Sequence, residues 1–477
     1  MSIRILLRNF AVAPVFVLLG IANIALLLRL APLLRDGVGM DPDSARYIEL
    51  AQGLKHGCGF ARWLNGSCEA LETLRTPGYP LFLAAMPTLR TAVAIQGILG
   101  AAVCLLIGLY VCECWGVIAA VTAELLVALD IPSILFGAIV MSDILFQASV
   151  AAGIVLSVWI VSRGRSDRMA VAGILFASIL FGIAILVRPL GIVLPVFSAL
   201  PIFLLPRISW RRSVSIALLA FAIPSFVPFA WMARNALGTG VWTLSTDGPI
   251  DLYYYKAAGV VWYRGDKNFE TVQKDFGRDL GWPAQSRNEV PPSLQPEMIR
   301  RTFQVIRNDP VAFLIMMLRS FGWLAIVPVR SRLDEFLGTN GGAESYSAAT
   351  EHVTARIQEI VRSSLLTTLV VLQFLIMLFV WAGVARALAG LGHMSALERI
   401  LVLVPFILTV AFLGLSTGPE SMARYRLPVI PLLAMLAAAG WFGRFKIPDK
   451  NVESAGRSPG ARRGPHRKLR SWIGDCR

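Results

Sequence analysis

Charge is what this chain has little of. Asp, Glu, Lys and Arg make up 16% of its 477 residues, where a soluble domain carries about 25%. With 56% hydrophobic residues and a mean hydropathy of +0.64, this excludes a soluble enzyme, a disordered protein and a small disulfide scaffold. Histidine is scarcer still, and His56, His352, His393 and His466 are too scattered to suggest a metal site or a triad. None of the six cysteines forms a CxxC pair with zinc spacing. Cys112 and Cys114 read as buried helix-end residues, and Cys58 and Cys68 share one loop and bridge if that loop faces an oxidising compartment. Gly57-Cys58-Gly59 lacks a following glycine, so there is no dinucleotide loop. No serine or cysteine nucleophile has a base beside it. No internal repeat is evident, which weakens a transporter built from repeated halves.

What the chain has instead is long apolar runs, which span bilayers as helices of about 20 residues. They lie at Phe10–Leu33, Thr91–Val111, Trp115–Leu129, Ser142–Val161, Met169–Val187, Leu190–Leu205, Ser213–Met232, Val311–Val329, Leu365–Val384, Ile400–Leu415 and Leu427–Phe442. The fold class that follows is an all-α polytopic membrane protein of about 10–12 transmembrane helices with long outer loops. The first run is too long for the core of a cleaved signal and reads as a spanning helix. Residues 1–443 form one membrane domain, and 444–477 a basic, disordered cytoplasmic tail with 10 Lys/Arg against 3 Asp/Glu. The formal charge of +15 is a topology signal, because Lys and Arg gather in cytoplasmic loops. No aromatic residues alternate with the tail's charge, so nucleic acid is not expected as a partner.

Arg163, Arg165 and Arg168, then Arg207, Arg211 and Arg212, then Arg386 and Arg399 define the inner side together with both termini. The long loops 34–78, 233–311 and 330–363 are nearly charge-balanced and lie outside. Val311–Val329 spoils the parity, and Arg319 in its middle is costly at mid-bilayer. We read it as a re-entrant or interface-lying helix, which leaves ten crossings and both termini cytoplasmic.

The first outer loop holds Asp41-Pro42-Asp43-Ser44-Ala45-Arg46-Tyr47, followed by helical spacing to Leu54, with Asp43 at an N-cap position. A bland reading of Asp43 is a helix cap, and Asp41 with Asp43 is a weak DxD pair. The loop ends in Arg75-Thr76-Pro77-Gly78-Tyr79-Pro80, a rigid turn back into the membrane. The run Ile131–Val161 would be about 46 Å long as one helix, too long for one span and too short for two. Splitting it near Ser142 places Asp143 at the outer surface, on the side of Asp43. Arg188-Pro189, Arg234-Asn235 and Arg424-Tyr425-Arg426 put further arginines outside, against the positive-inside bias. Each alone reads as a snorkelling side chain, and together they suit a lipid phosphate, whose oxygens match the guanidinium fork.

In this order and sidedness the motifs resemble the GT-C glycosyltransferases, specifically the dolichyl-phosphate-mannose protein mannosyltransferase-like family, whose bacterial members include aminoarabinose transferases acting on lipid A. The likeness covers most of residues 10–442. It implies a GT-C-like enzyme of the bacterial inner membrane that moves a sugar from a polyprenyl-phosphate donor to a hydroxyl on the outer face, with inversion. The acceptor is a lipid-linked glycan, lipid A or a protein. The resemblance puts Asp43 at the family's catalytic carboxylate and Asp143 at its second acid. With it, Asp43 is expected to act as general base, while Arg188, Arg424 and Arg426 stabilise the departing phosphate. Arg46, Tyr47, Arg75 and Arg234 join them as substrate-binding residues. The cofactor is left unknown, with a divalent metal admitted and no ligand committed. The rival is a transporter or flippase of lipid-linked glycans. It would carry ionisable groups inside its spans, where this chain has few, Arg29 and Glu124 being the clearest.

Overall fold

The computed structural model describes residues 12–34, 38–162, 167–204, 208–330, 332–333 and 364–443. The basic tail 444–477, most of loop 330–363, and Arg163, Arg165 and Arg207 lie outside the described residues. The chain is an integral membrane protein built of helices. Apart from one two-stranded hairpin, the named elements are all helical. In chain order the helices used below are α1 (Val12–Leu30), α2 (Ser44–Lys55), α3 (Gly78–Ala84), α4 (Leu89–Trp115), α5 (Val117–Ala128), α6 (Ile131–Gly137), α7 (Asp143–Ser162), α8 (Asp167–Val187), α9 (Leu194–Ala199) and α10 (Trp210–Thr239). There follow α11 (Asp247–Ile250), α12 (Ala258–Arg264), α13 (Phe269–Leu280), α14 (Gln295–Asn308), α15 (Pro310–Ile326), α16 (Ser364–Ala389), α17 (Ala396–Ser416) and α18 (Ile430–Phe442).

Among the described residues, seven helices are long and apolar enough to cross a membrane, or nine if each of two bent pairs is one span; Asp143–Trp159 and Pro189–Phe203 are shorter apolar helices. Ridges of small and branched residues bring α18 against α16, α4 against α5, and α8 against α7 and α10. At the centre, α18 is buried from Ile430 to Gly440, among Tyr110, Phe146, Phe181 and Phe412. The outward faces of α1, α10 and α16 expose Phe16, Leu27, Phe226, Phe229 and Leu375. An apolar exterior of this kind suits lipid rather than water.

Two sequence expectations change in detail. The run Leu190–Leu205 is not one regular α-helix but a chain of 3₁₀ and α turns (Pro189–Val193, α9, Leu200–Leu204). Pro189, Pro195 and Pro201 each remove a helical hydrogen bond there. The expected break before Ser142 is present, but α6 also pairs with α5 across a 47° bend, so Trp115–Leu129 is part of a broken element rather than a separate straight helix. Most of Val311–Val329 forms the 17-residue α15, which leaves the preceding helix at 100°, a bend that a broken span and a re-entrant loop share. The exposed side chain of Arg319 lies on it.

At one end of the bundle the loops fold over the helix ends. Strands β1 (Ala61–Leu64) and β2 (Ser67–Leu71) form an antiparallel hairpin across Asn65-Gly66, a dipeptide that favours tight hairpin turns. A Cys58–Cys68 disulfide ties the segment before β1 to β2 near the turn, with Cα atoms 5.6 Å apart. The loop 233–311 packs on this hairpin region: Thr246 N–H donates to Thr73 O at 3.0 Å, and Arg46 reaches Glu289 at 2.8 Å. It carries its own apolar core of Tyr253, Tyr254, Phe269 and Met298.

Candidate active site

The charged centre is assembled at that end around the start of α7, where four chain segments meet Asp143. The first is the stretch before α2. Gly39 pairs with Ile139, Val140 N–H donates to Gly39 O at 3.1 Å, and the buried Ser44 hydroxyl donates to Val140 O at 2.9 Å. These bonds dock Asp41 and Asp43 against the loop that opens α7, so Asp43 and Asp143 come together as expected. Asp43 holds the N-cap position of α2 but makes no capping side-chain bond, and the bland cap reading therefore does not describe its side chain.

The second segment is the turn 75–78. Gly78 lies so close to α8 that a Cβ there would stand 2.7 Å from the Leu186 carbonyl carbon. Only a residue without one lets this turn sit on the end of α8, and that contact brings Arg75 beside Arg188. The third segment is Arg188 itself, in extended backbone between α8 and Pro189. The fourth is the 3₁₀ stretch Ala423–Val429, which delivers Arg424.

The resulting pairs form one network. Arg75 donates to Asp43 Oδ1 at 2.6 Å and to Asp247 Oδ2 at 3.4 Å. Arg424 reaches Asp43 Oδ2 at 3.4 Å, Asp143 Oδ2 at 3.2 Å and Asp41 at 3.6 Å. Arg188 donates to Asp143, and Arg332 to Asp41. Arg424 and Asp143 are 4% and 0% exposed, so each charge depends on its partners for solvation. Burial alone would raise the Asp43 carboxyl, but Arg75, Arg424 and Arg188 outweigh it and hold it below the ordinary range. In Arg75, burial acts the other way and Asp43 again wins, keeping the guanidinium charged. A small open recess of about 30 Å³ adjoins the network, lined by Tyr47, Leu74, Arg75, Thr76, Val187, Arg188, Pro189 and Asp247. Tyr47 lies under the Arg75 guanidinium, 5.3 Å from ring centroid to cation, and its hydroxyl meets Ser142 at 3.3 Å.

Three expected substrate-binding arginines stand apart. Arg46 pairs with Glu72 at 2.7 Å and with Glu289 at 2.8 Å. Arg234 donates to the carbonyls of Glu72 and Phe60 and stacks on Trp231. Both tie the long loops together. Arg426 is 1% exposed and donates to the carbonyls of Leu324 and Val327, closing the C-terminal end of α15; its alternation with Arg424 turns it away from the recess. Asp247 and Arg332, in turn, belong to the network and went unnoticed in the sequence. Ser245-Thr246-Asp247 looks like any polar turn, and only the docking of the 233–311 loop brings it to Arg75.

The carboxylates do not fit a metal centre. Among the described residues no three of His, Cys, Asp and Glu could hold a cation together, and Arg424 occupies the point on which Asp41, Asp43 and Asp143 converge.

A second acid group lies on the same loop as Arg424. Glu420 is 7% exposed and its Oε2 has no hydrogen-bond partner; Lys256 nearby binds Asp251 at 3.2 Å and Leu415 O at 2.9 Å. Burial first, then the Asp251 charge, push the Glu420 carboxyl well above its usual value of 4.5. The folded chain thus keeps a proton that the unfolded chain releases, so this contribution is complete below pH 4.5 and is lost as pH rises through the folded-state value. Glu420→Gln is expected to flatten the decline of melting temperature with rising pH. An unchanged slope in the variant would refute the assignment.

No protein-family model matches the chain, and no curated protein does. Two similar solved structures are oligosaccharyltransferases of Archaeoglobus fulgidus. The apo form is 15% identical, with a TM-score of 0.48 over 89% of this chain and 50% of that one. The other, AglB in complex with an inhibitory peptide and a dolichol-phosphate, is 17% identical, with a TM-score of 0.50 over 97% of this chain and 54% of that one. The chain spans about half the length of these proteins. The likeness to AglB is one of fold, and the chain accordingly has the GT-C-like helical membrane architecture.

Proposed function

We propose that this chain is a membrane glycosyltransferase that moves a sugar from a polyprenyl-phosphate donor to an acceptor hydroxyl at the outer face of a bacterial inner membrane. Its domain is residues 1–443, both termini are cytoplasmic, and its family is the dolichyl-phosphate-mannose protein mannosyltransferase-like one. The observation that carries the reading is the recess itself, where Arg75 and Arg188 face the same cavity as a carboxylate, at the end of the apolar helices. A lipid phosphate leaving group is anionic at neutral pH and needs cations rather than an acid; fixed guanidinium groups supply them without reorganising. Asp43 and Asp143 hold those groups in place. Single displacement at the anomeric carbon inverts its configuration. A GT-C-like fold is one in which AglB was solved with a dolichol-phosphate, and a similar carrier suits this site. A lipid-linked glycan, lipid A or a protein serves as acceptor.

Radiolabelled polyprenyl-phosphate sugars, offered to the purified full-length protein in lipid vesicles, test the reading. Wild type should release or transfer label. Arg188→Ala should weaken donor use about 10–100-fold, the worth of a charge-assisted hydrogen bond. Donor carried across the bilayer with its sugar intact would make the protein a flippase instead.

A further inference from the structure

Each acid of the network differs in what its oxygens are free to do. Asp43 gives Oδ1 to Arg75 and Oδ2 to Arg424, and it does not line the recess. Asp143 is fully buried, with both oxygens against Arg424 and Oδ1 also against Arg188. Asp41 is held by Arg332 and Arg424. A carboxylate whose oxygens accept from guanidinium groups in this way is a weak base. Asp247 differs on every count. It lines the recess, its side chain is 46% exposed, and its one ion pair is a 3.4 Å contact from Arg75 to Oδ2. Oδ1 has no partner among the described residues. The Asp247 backbone is anchored beside Arg75, because its N–H donates to Ser245 Oγ at 3.1 Å and the Ser245 hydroxyl in turn donates to Leu74 O at 2.5 Å.

We propose that Asp247, rather than Asp43, takes the proton of the acceptor. The assignment rests on the glycosyltransferase reading above. The acceptor O–H proton passes to Asp247 Oδ1 as the oxygen bonds to the anomeric carbon. The anomeric C–O bond to the lipid phosphate breaks, its electron pair leaves on the phosphate oxygen, and Arg75 and Arg188 neutralise that charge. Arg75 couples the two carboxylates: it holds Asp43 at 2.6 Å and Asp247 at 3.4 Å. Partial desolvation in the recess first, then the nearby Asp43 and Asp251 charges, raise the Asp247 carboxyl above its ordinary value, against the pull of Arg75 and Arg188, while Asp43 is lowered. Two acids whose environments push them apart in this way divide their roles, the raised one exchanging the proton and the lowered one staying ionised.

Azide separates the two assignments, since it attacks as an anion and needs no base, whereas water must be deprotonated. The assay follows cleavage of a labelled polyprenyl-phosphate sugar by the full-length protein in vesicles, with water or added azide as acceptor. Asp247→Asn is expected to lose hydrolysis by about 10²–10⁴-fold, to bind polyprenyl phosphate as wild type does, and to recover cleavage with azide, yielding the glycosyl azide. Asp43→Asn is expected to lose both reactions and polyprenyl phosphate binding, since its arginines are released. Asp247→Asn that hydrolyses at the wild-type rate, or that azide fails to rescue, overturns the proposal, as does rescue of Asp43→Asn instead. Wild type that leaves every donor intact overturns the underlying glycosyltransferase reading, and this assignment with it.

Discussion

Arg424→Ala is expected to abolish the proposed sugar transfer and to destabilise the protein by about 3–5 kcal/mol, the cost of stranding a buried charge by removing its partner. Arg424 touches three carboxylates, Asp41 at 3.6 Å, Asp43 at 3.4 Å and Asp143 at 3.2 Å. Its removal leaves Asp143, which is 0% exposed, with Arg188 as its remaining cation. Arg424→Lys should recover part of the stability and little of the activity, because one ammonium cannot reach three acids as a planar fork does. The check is a melting temperature in detergent alongside cleavage of labelled donor in vesicles. Wild-type melting in Arg424→Ala would show that the network is not what holds this end together.

The second large effect is expected at Gly440, where α18 crosses α16. A Cβ on Gly440 would lie 1.8 Å from the Gly383 carbonyl oxygen, and one on Gly383 would lie 2.7 Å from the Ala437 carbonyl oxygen. Membrane helices without a hydrophobic drive between them associate through such close approaches of small residues. Helix α18 cannot shift to make room, because 83% of its spanning window is buried. Gly440→Val should therefore cost at least the 1–3 kcal/mol typical of overpacking, roughly, and lower the yield of monodisperse protein. Gly414→Val serves as the comparison, since a Cβ at Gly414 meets nothing within 4 Å. Equal yields and melting for the two variants would remove the argument.

The membrane character, the helical class and the positions of most helices are legible in residue order alone. A bilayer demands about 20 apolar residues per span and internal satisfaction of every backbone group, and these are local requirements that leave local traces. Arg75, Arg188, Arg424, Asp43 and Asp143 are legible for a related reason: charge at the end of an apolar run stands out. Which of these charges meet is not local. Arg424 and Arg426 lie two residues apart, yet the 3₁₀ turn sends one to three carboxylates and the other to the end of α15. Arg46 and Arg234 stand out in the sequence as Arg75 does, yet Arg46 is taken up by Glu72 and Glu289 and Arg234 by the Glu72 carbonyl in the packing of the loops. Asp247 joins the recess across 172 residues of chain from Arg75, through contacts that no spacing rule encodes. Hydropathy is a sum over neighbours in sequence. An ion pair depends on distance in space, and here the tertiary structure alone decides which carboxylate stays held and which is left free.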